Sequence, residues 1–524
     1  MLRSVIERNA DHHPERSVIV FEGGETWSSI ETLAEAYGAA EVLASLGVRQ
    51  GSRVAIMLPN GPDFVRAWWG ARCLGAAIMP VNPALRGRIL EHPLRLAEPD
   101  LIVISPEQVA TLRSELAPYR TADPLLLRER SFAKPRLERP VELADPDVVL
   151  MTSGTTGPSK VWSSTVAQAS TTGAYVRDGD LTDEDRFLID LPLFHTAGLG
   201  VMAGCLRSGT LAVLRGRPTL SRYIEIAREL EVTATFLVGS MGAKLMALPE
   251  SPTDRDHRIR LMVMAPLPPD PSRFVERFGI ERIITSFGST ETGGPLGTGD
   301  HRGLPSPGSV GRERRGYGEY RLVDGHGDDI AAGEVGELLL RPASSAVAAG
   351  HYLKDEAATA QAWRDGWFHT GDLFRRNGDG EYFWVGRDRD TIRRRGENIS
   401  AYEVEQELLM ESEVAMAACV GVEARDDVGI EVKAFLVPAD GVTDIDLGAI
   451  GDRLADRLPG HMVPRFYEVI TELPTTPTQK IQKFELASRL LNEHTWDRVS
   501  RSWVVQARQA ASGDIAVPHS RRST

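Results

Sequence analysis

The sequence predicts an α/β fold: a large N-terminal domain of mostly parallel α/β sheets with a small antiparallel, barrel-like section, followed by a small α+β C-terminal domain. Between residues 17 and 213, short apolar runs alternate with helical periods, which is typical of parallel β-α units. Between residues 308 and 385, short strand patterns follow one another closely with turn signals such as Asp324-Gly325, which indicates antiparallel pairing. After Gly386 a basic stretch precedes a separate set of helix and strand patterns.

The expected strands of the N-terminal domain are short apolar runs bounded by polar or turn residues. They are Ser17–Phe21, Arg53–Leu58, Ala77–Val81, Leu101–Ile104, Val148–Thr152, Leu211–Leu214, Arg260–Met264 and Arg282–Ser286, with a short helix at Ser272–Phe278. Further along, we expect helices at Ala401–Met410 and Ile445–Arg457 and strands near Ala415–Val422 and Val432–Val437. The expected domains are therefore residues 1–388 and 389–503, followed by a polar, disordered tail at residues 504–524.

Composition narrows the class of protein. The chain has 524 residues, 42% hydrophobic and 25% charged, which is typical of a globular protein. No apolar run approaches the roughly 18 residues of a membrane helix, and charged residues such as Arg3, Glu7 and Arg8 replace the apolar stretch of a signal peptide, so we expect a cytoplasmic protein without a membrane partner. Its 60 basic and 73 acidic residues give a net charge of -13, which disfavours nucleic acid as a partner. Three widely separated cysteines predict neither a disulfide framework nor a cysteine zinc site, and the oligomeric state stays open.

A loop rich in hydroxyls and glycines follows the fifth expected strand. It runs Met151-Thr-Ser-Gly-Thr-Thr-Gly-Pro-Ser-Lys160. Backbone N–H groups, hydroxyls and one ammonium in a single loop suit a polyphosphate. The loop is not a Walker motif, because alignment on Gly154 places Ser159 at the second glycine and Val161 where Ser or Thr would bind magnesium.

Five further motifs follow this loop in order. They are Leu193-Phe-His-Thr-Ala-Gly198, Ser286-Phe-Gly-Ser-Thr-Glu291, Phe368-His-Thr-Gly-Asp372, Gly386-Arg-Asp-Arg389 with Arg395-Gly-Glu-Asn-Ile-Ser400, and Pro474-Thr-Thr-Pro-Thr-Gln-Lys480. Together with the loop they resemble the motifs of the adenylate-forming superfamily, which includes acyl-CoA synthetases, peptide-synthetase adenylation domains and luciferase. The resemblance covers roughly residues 1 to 495 and is closest to stand-alone acyl-CoA ligases. It implies ATP and Mg²⁺ as cofactors, a small carboxylic acid as substrate, coenzyme A as co-substrate, and a mobile C-terminal domain.

The resemblance also implies which residues bind the nucleotide. The implied ATP-binding residues belong to the phosphate loop, the adenine motif and the ribose motif: Thr152, Ser153, Gly154, Thr155, Thr156, Gly157, Lys160, Phe287, Gly288, Asp372 and Arg387. Thr155, Thr156 and Lys160 would hold the β- and γ-phosphates, and Phe287 would stack on adenine.

The implied catalytic residues are Lys480, Thr290 and His195. Lys480 would place its ammonium between the attacking carboxylate and the α-phosphate, Thr290 would contact that phosphate, and His195 would gate the acyl pocket. Glu291 is the implied magnesium ligand, because a hard oxygen ligand suits that ion. Arg389 is the implied hinge between the two half-reactions.

The sequence departs from the family pattern at two places and leaves the acceptor open. Val161, Trp162 and Val166 stand where relatives usually have Gly and, a few residues on, His, and Gln479 stands where Gly usually precedes the catalytic lysine. The hinge motif favours thioester formation with coenzyme A. The alternatives are a non-thiol acceptor, in an amide-forming ligase or a nitrite-activating diazotase acting on an aryl amine, and an inactive nucleotide-binding regulator.

Overall fold

The computed structural model describes residues 2–152, 160–268, 270–299, 301–387, 391–394, 397–424, 429–475, 481–489 and 491–504. The chain divides into two compact units, Met1–Trp384 and Val385–Thr524. The domain limits that we predict from the sequence remain predictions. No helix among the described residues is both long and apolar enough to span a membrane.

The first unit contains a sheet in which neighbouring strands are parallel except at one edge. In the described chain its seven strands are ordered Arg282–Ile284, Leu261–Ala265, Ala234–Val238, Arg186–Ile189, Leu211–Leu214, Ser17–Phe21 and Thr26–Ser28. Only Thr26–Ser28 pairs antiparallel, with Ser17–Phe21. The predicted parallel α/β sheet is therefore confirmed.

A second sheet joins a parallel part to an antiparallel edge. Its order, over the residues described, is His351–Tyr352, Lys160–Thr165, Pro146–Thr152, Ala77–Pro80, Arg53–Met57, Leu101–Ile104 and Thr121–Ala122. The central strands Ala77–Pro80 and Leu101–Ile104 are buried at every position, because helices cover both faces of a parallel sheet. The strand Lys160–Thr165 runs antiparallel to Pro146–Thr152, so the chain on either side of the phosphate loop forms a strand pair rather than a β-α unit.

The third sheet of this unit is antiparallel throughout. Its described strands are ordered Ser286–Ser289, Gly293–Gly297, Ser309–Glu313, Tyr382–Arg387, Trp367–Arg376, Val335–Pro342 and Gly318–Val323, with Trp363–Arg364 pairing to Trp367–Arg376. The antiparallel section is thus confirmed, but the strand that we predict at Arg282–Ser286 is wrong at its end. The parallel strand stops at Ile284, and Ser286 begins a strand of the antiparallel sheet, because the chain crosses from one sheet to the next at Thr285.

The helices of the first unit cover these sheets. They are Leu2–His12, Ser29–Ser45, Pro62–Cys73, Gly87–Ala97, Pro106–Thr111, Arg113–Leu116, Val166–Thr171, Ala174–Asp178, Thr196–Ser208, Tyr223–Glu229, Gly239–Ala247, Ser272–Phe278, Ser345–Ala348 and Glu356–Ala362, with 3₁₀ turns at Pro124–Arg128 and Leu220–Arg222. Ser28 begins the longest helix with a capping box: its Oγ accepts the Glu31 N–H at 3.3 Å and its own N–H donates to Glu31 Oε2 at 2.9 Å. The main core lies between the two parallel sheets and contains Trp27, Trp69 and Phe187.

The second unit is a small α+β structure. Its helices are Ala401–Leu408, Leu447–Arg457 and Lys483–Ser488, and its described strands are Thr391–Arg394, Glu397–Ser400, Val414–Ala424, Gly429–Pro438, Phe466–Val469, Thr495–Asp497 and Ser502–Trp503. Lys433 is fully buried in this unit and pairs with Glu468 at 2.7 Å. A buried ion pair of this kind is satisfied within the fold, and it identifies Lys433 as structural.

Candidate active site

The two ends of the phosphate loop meet across a strand pair. Thr152 and Lys160 are register partners in this pair, and the Thr152 hydroxyl donates to the Lys160 carbonyl at 3.4 Å. The predicted phosphate-binding residues Ser153, Gly154, Thr155, Thr156 and Gly157 lie outside the described residues. The structure therefore fixes where the loop begins and ends, and it places the exposed Lys160 side chain at the start of the second strand.

A tight turn after Ser286–Ser289 carries Thr290 and Glu291. Ser289 Oγ accepts the backbone N–H groups of Glu291 at 3.2 Å and Thr292 at 3.1 Å, which closes the turn. Both Thr290 and Glu291 are half-buried. Their side chains are therefore held at the edge of the antiparallel sheet by a backbone that a local serine fixes.

The adenine motif precedes this turn. The Phe287 ring packs edge-on against Phe374 with ring centroids 4.8 Å apart, and it is only half-buried. Gly288 is exposed, yet a Cβ on it would lie 2.1 Å from the Gly293 carbonyl oxygen, so the neighbouring strand excludes any side chain there. The motif thus needs glycine because the two backbones approach closely.

Gln168 ties this turn to the strand that follows the phosphate loop. Its Nε2 donates to the Thr290 carbonyl at 3.3 Å and also to the Glu291 carbonyl. Its Oε1 accepts the indole N–H of Trp162 at 3.1 Å, and both side chains are buried. One amide side chain therefore satisfies two backbone acceptors and one buried donor. These bonds fix the turn of Thr290 and Glu291 relative to the strand Lys160–Thr165.

Tyr352 contacts both Lys160, which we predict to bind phosphate, and Glu291, which we predict to bind the metal ion. Its hydroxyl donates to Glu291 Oε1 at 2.8 Å, and Lys160 Nζ lies 4.9 Å from the centroid of its ring. An ammonium over an aromatic face is attracted by the negative face of the π-system. Residues separated by about 130 positions in the sequence thus meet through a single side chain.

The segment with His195 is anchored by Asn60. Asn60 Nδ2 donates to the carbonyls of Leu191 and Arg215, each at 2.9 Å, and Asn60 Oδ1 accepts the Leu193 N–H at 2.8 Å. His195 is the N-cap of the helix Thr196–Ser208 and is half-buried. These bonds hold the chain that enters the helix, so the His195 imidazole is presented from a fixed backbone.

A buried carboxyl precedes the His195 segment directly. Asp190 is 1% exposed, and burial raises its pKa from 3.8 to about 7, partly opposed by the positive charge of Arg215. Neither Asp190 oxygen has a hydrogen-bond partner within the part of the chain that the structure describes. This carboxyl is therefore mostly protonated at mildly acidic pH and ionises as the pH rises through about 7.

The ribose motif lies on the antiparallel sheet. Asp372 is 3% exposed, and its Oδ1 accepts the indole N–H of Trp384 at 2.9 Å. The Asp372 N–H donates to Thr370 Oγ1 at 3.1 Å, and Thr370 Oγ1 donates to the Leu338 carbonyl at 2.8 Å. The carboxylate is thus fixed by a neighbouring strand and by its own turn.

Three predicted residues come from the C-terminal part of the sequence. Arg387 ends the strand Tyr382–Arg387, whereas the hinge candidate Arg389 and the catalytic candidate Lys480 lie outside the described residues. Lys483, the lysine nearest to Lys480, pairs with Glu405 at 2.7 Å. That ion pair gives Lys483 a role within the second unit.

The structure adds residues that the motifs do not contain. Gln168, Tyr352 and Trp384 contact predicted site residues, and Asn60 anchors the His195 segment. None of them carries a local sequence signal, because their partners lie on other strands or far along the chain. The departures from the family pattern at Val161, Trp162 and Val166 are the signs in the sequence that this part of the chain differs.

The donor set at Glu291 fits magnesium bound together with a nucleotide. A carboxylate has about four lone-pair positions, so Oε1 can accept the Tyr352 hydroxyl while the group still ligates a cation. Among the described residues, no group of three or more His, Cys, Asp or Glu side chains could hold a metal ion by itself. Magnesium characteristically takes one or two carboxylates and completes its shell with substrate phosphates and water, so Glu291 meets the requirement.

Comparison with known proteins identifies the family of this chain. The family model described as AMP-binding enzyme matches residues 6–352, and that of the AMP-binding enzyme C-terminal domain matches residues 403–480. The crotonobetaine/carnitine–CoA ligase of Salmonella paratyphi A is 29% identical, over 93% of this chain and 98% of that protein.

Solved structures show the same fold. The anthranilate CoA ligase AuaEII in complex with anthranoyl-AMP superposes with a TM-score of 0.83 at 24% identity, over 93% of this chain and 96% of that one. The o-succinylbenzoate coenzyme A synthetase of Bacillus subtilis, in complex with ATP and magnesium ion, gives a TM-score of 0.79 at 25% identity, over 92% and 98% of the two chains. The chain therefore belongs to the AMP-binding enzymes of the adenylate-forming superfamily.

Proposed function

We propose that this protein is an ATP-dependent, AMP-forming ligase that activates a small carboxylic acid as an acyl-adenylate and transfers the acyl group to coenzyme A. The observation that carries the proposal is the meeting of the Lys160 ammonium and the Glu291 carboxylate at Tyr352. A cation for phosphates and a hard anion for magnesium, both in contact with one tyrosine side chain, are the two kinds of charge that MgATP requires. The relatives are named as CoA ligases and a coenzyme A synthetase, which supports the same reaction.

Charge neutralisation is the chemical problem in this reaction. A carboxylate is a poor electrophile, so its oxygen attacks the α-phosphate of ATP, a P–O bond forms, and pyrophosphate leaves. Thr155, Thr156 and Lys160 would hold the β- and γ-phosphates, and Thr290 would contact the α-phosphate. Magnesium, when bound, neutralises phosphate charge; Glu291 would be its ligand from the chain.

The remaining residues would orient the two substrates. Asp372 would accept hydrogen bonds from the ribose hydroxyls, Arg387 would donate to the ribose, and Phe287 would cover the adenine. Lys480 would neutralise the charge that develops between the attacking carboxylate and the α-phosphate. His195 would close the acyl pocket, whose walls we place at Phe194–Gly198, Val238–Ser240 and Ala265–Leu267.

The acid and the acceptor distinguish this proposal from its alternatives. The relatives are named for different acids, so their likeness does not select one for this chain. A screen of pyrophosphate release should cover carboxylic acids and nitrite, each with and without coenzyme A and aryl amines. The proposal expects acid-dependent pyrophosphate release and a CoA thioester as product.

Each other outcome of this screen has a definite meaning. Release of pyrophosphate with an acid, but with amide as the only product, would replace coenzyme A by an amine acceptor. Nitrite-dependent release with an aryl amine would identify a diazotase. Binding of ATP without pyrophosphate release for any acid or nitrite would identify a nucleotide-binding regulator.

A further inference from the structure

Tyr352 occupies a defined place beside the strand that follows the phosphate loop. The two-residue strand His351–Tyr352 pairs antiparallel with Lys160–Thr165, and Tyr352 lies directly opposite Trp162. Lys160 and Trp162 are two residues apart on one strand, so their side chains lie on the same face. The pairing therefore places Tyr352 opposite Trp162 and diagonal to Lys160, which explains why its ring reaches both.

The tyrosine side chain is held on several sides. Its ring meets the fully buried Trp162 edge-on with centroids 4.9 Å apart, and its backbone N–H donates to Thr359 Oγ1 at 3.0 Å. Trp162 is itself fixed by its bond to Gln168. A side chain packed and bonded in this way has one orientation, which is the requirement for positioning another group.

The two ends of this side chain contact opposite charges. The hydroxyl donates to Glu291 Oε1 at 2.8 Å, and the ring face lies 4.9 Å from Lys160 Nζ. A hydrogen bond to an ionised carboxylate is stronger than one between two neutral groups. It also restricts rotation of the carboxylate plane. The ring meanwhile attracts the ammonium without donating or accepting a proton.

We propose that Tyr352 is a positioning residue for the metal–nucleotide site: its hydroxyl holds the Glu291 carboxylate in the orientation that magnesium needs, and its ring face holds the Lys160 ammonium until the phosphates of ATP bind the lysine. This inference rests on the function proposed above. Tyr352 acts through Glu291 and Lys160 and does not itself touch the reacting atoms. It explains why a tyrosine stands opposite Trp162, at a place where packing alone would accept any large apolar ring.

The test removes the hydroxyl and keeps the ring, in Tyr352→Phe. Removing the partner that orients a metal ligand typically weakens metal binding about 10- to 100-fold. We expect the magnesium concentration for half-maximal binding of α,β-methylene-ATP, followed by calorimetry, to rise about tenfold. Binding of the same analogue in EDTA should stay at the wild-type level, because this change retains the aromatic ring and Lys160 keeps its aromatic neighbour.

The chain offers a matched control. The Tyr382 hydroxyl donates to Glu313 Oε1 at 2.6 Å, so Tyr382→Phe removes the same kind of bond on another strand of the first unit. We expect that variant to show the wild-type magnesium titration. A general loss of folding from a missing tyrosine–glutamate bond would instead affect both variants alike and would overturn the proposal.

A double-variant cycle with Glu291→Gln shows whether the hydroxyl acts through this carboxylate. In the Glu291→Gln background, Tyr352→Phe should produce no further shift in the magnesium titration. An equal shift in both backgrounds, or no shift in the single variant, would overturn the assignment. The calorimetric titration needs no acid substrate, so a wild-type chain that binds the magnesium complex but never releases pyrophosphate would refute the proposed ligase activity and still decide the role of Tyr352.

Discussion

Replacing Asp190 by asparagine should change how the stability of the first unit depends on pH. Asp190 is 1% exposed, and burial raises its pKa from 3.8 to about 7. The folded chain therefore binds this proton more tightly than the unfolded chain. As pH rises from about 4 through 7, ionised Asp190 is tolerated in the unfolded chain but not in the core, so wild-type stability falls. Asparagine has nearly the same shape and carries no charge at any pH.

The magnitude follows from the two pKa values of the carboxyl. Their difference is 7 − 3.8, about 3 pKa units, and at 1.36 kcal/mol per unit the full effect is about 4 kcal/mol. At pH 5 this carboxyl is already mostly ionised in the unfolded chain, so wild type has already lost part of this stabilisation. Between pH 5 and pH 8, the free energy of unfolding of Asp190→Asn should rise relative to wild type by about 3 kcal/mol.

Urea unfolding of both proteins at pH 5, 6, 7 and 8, followed by tryptophan fluorescence, measures this difference. Asp185→Asn is the control, because Asp185 is also buried but pairs with Arg260 at 2.6 Å, and its hydrogen bonds to Arg260 and Thr233 hold its pKa below the ordinary value despite burial. The ionised Asp185 carboxylate stabilises the fold at every pH above its pKa in the unfolded chain, and this stabilisation is lost only as pH falls through its pKa in the folded chain. The Asp185→Asn variant should therefore be less stable than wild type by a constant amount from pH 5 to 8. A flat difference for Asp190→Asn over the same range would refute the reasoning.

Three further predictions concern the reaction. Trp384→Phe removes the N–H that donates to Asp372 at 2.9 Å. Because a hydrogen bond to a charged group is lost, the KM for ATP should rise about tenfold or more, while the KM for the acid stays unchanged. An unchanged KM for ATP in initial-rate kinetics would contradict this prediction. Lys480→Ala should lower acid-dependent pyrophosphate release about 100- to 1,000-fold with ATP binding retained, and wild-type release would exclude Lys480 as the catalytic lysine. Arg389→Pro fixes φ near -65° and should keep pyrophosphate release but lose acyl-CoA formation when both are assayed on one folded sample; equal effects on both steps would exclude this hinge.

The strands of the parallel sheets could be predicted because they are buried on both faces and therefore appear as continuous apolar runs. Ser17–Phe21 and Leu101–Ile104 have the bounds that the sequence predicts. The pairing direction of Lys160–Thr165 could not be predicted, because side chains alternate in the same way in parallel and antiparallel strands. The crossing at Thr285 could not be predicted because no glycine or proline marks a turn between Ile284 and Ser286, although the chain changes sheets there.

Some residues of the candidate site could likewise be predicted from the sequence, and others could not. Motifs identify Glu291 and Lys160 as chemistry-bearing residues, because their spacing within each motif is local. The side chain that joins them is invisible at that level: Tyr352 is 61 residues from Glu291 in the sequence, and its two-residue strand has no periodicity to detect. Gln168 is separated from Thr290 by 122 residues. Only the fold brings the edge strand His351–Tyr352, the helix Val166–Thr171 and the turn after Ser286–Ser289 together.

The contacts of Trp162 explain why a large ring can stand at this position, where the sequence departs from the family pattern. The indole is fully buried, and a Cβ on Gly350 would lie 2.5 Å from Trp162 Cζ2, so the absence of a side chain at Gly350 makes room for the ring. A buried indole must also satisfy its N–H, and Gln168 does so while donating to the turn that carries Glu291. The large ring thus both fills space and completes a hydrogen-bonded connection between the phosphate-loop strand and the metal motif. A smaller residue at position 162 would leave a cavity against Gly350 and an unpaired Gln168 oxygen, which is why the tryptophan, Gln168 and Tyr352 are best understood as one unit.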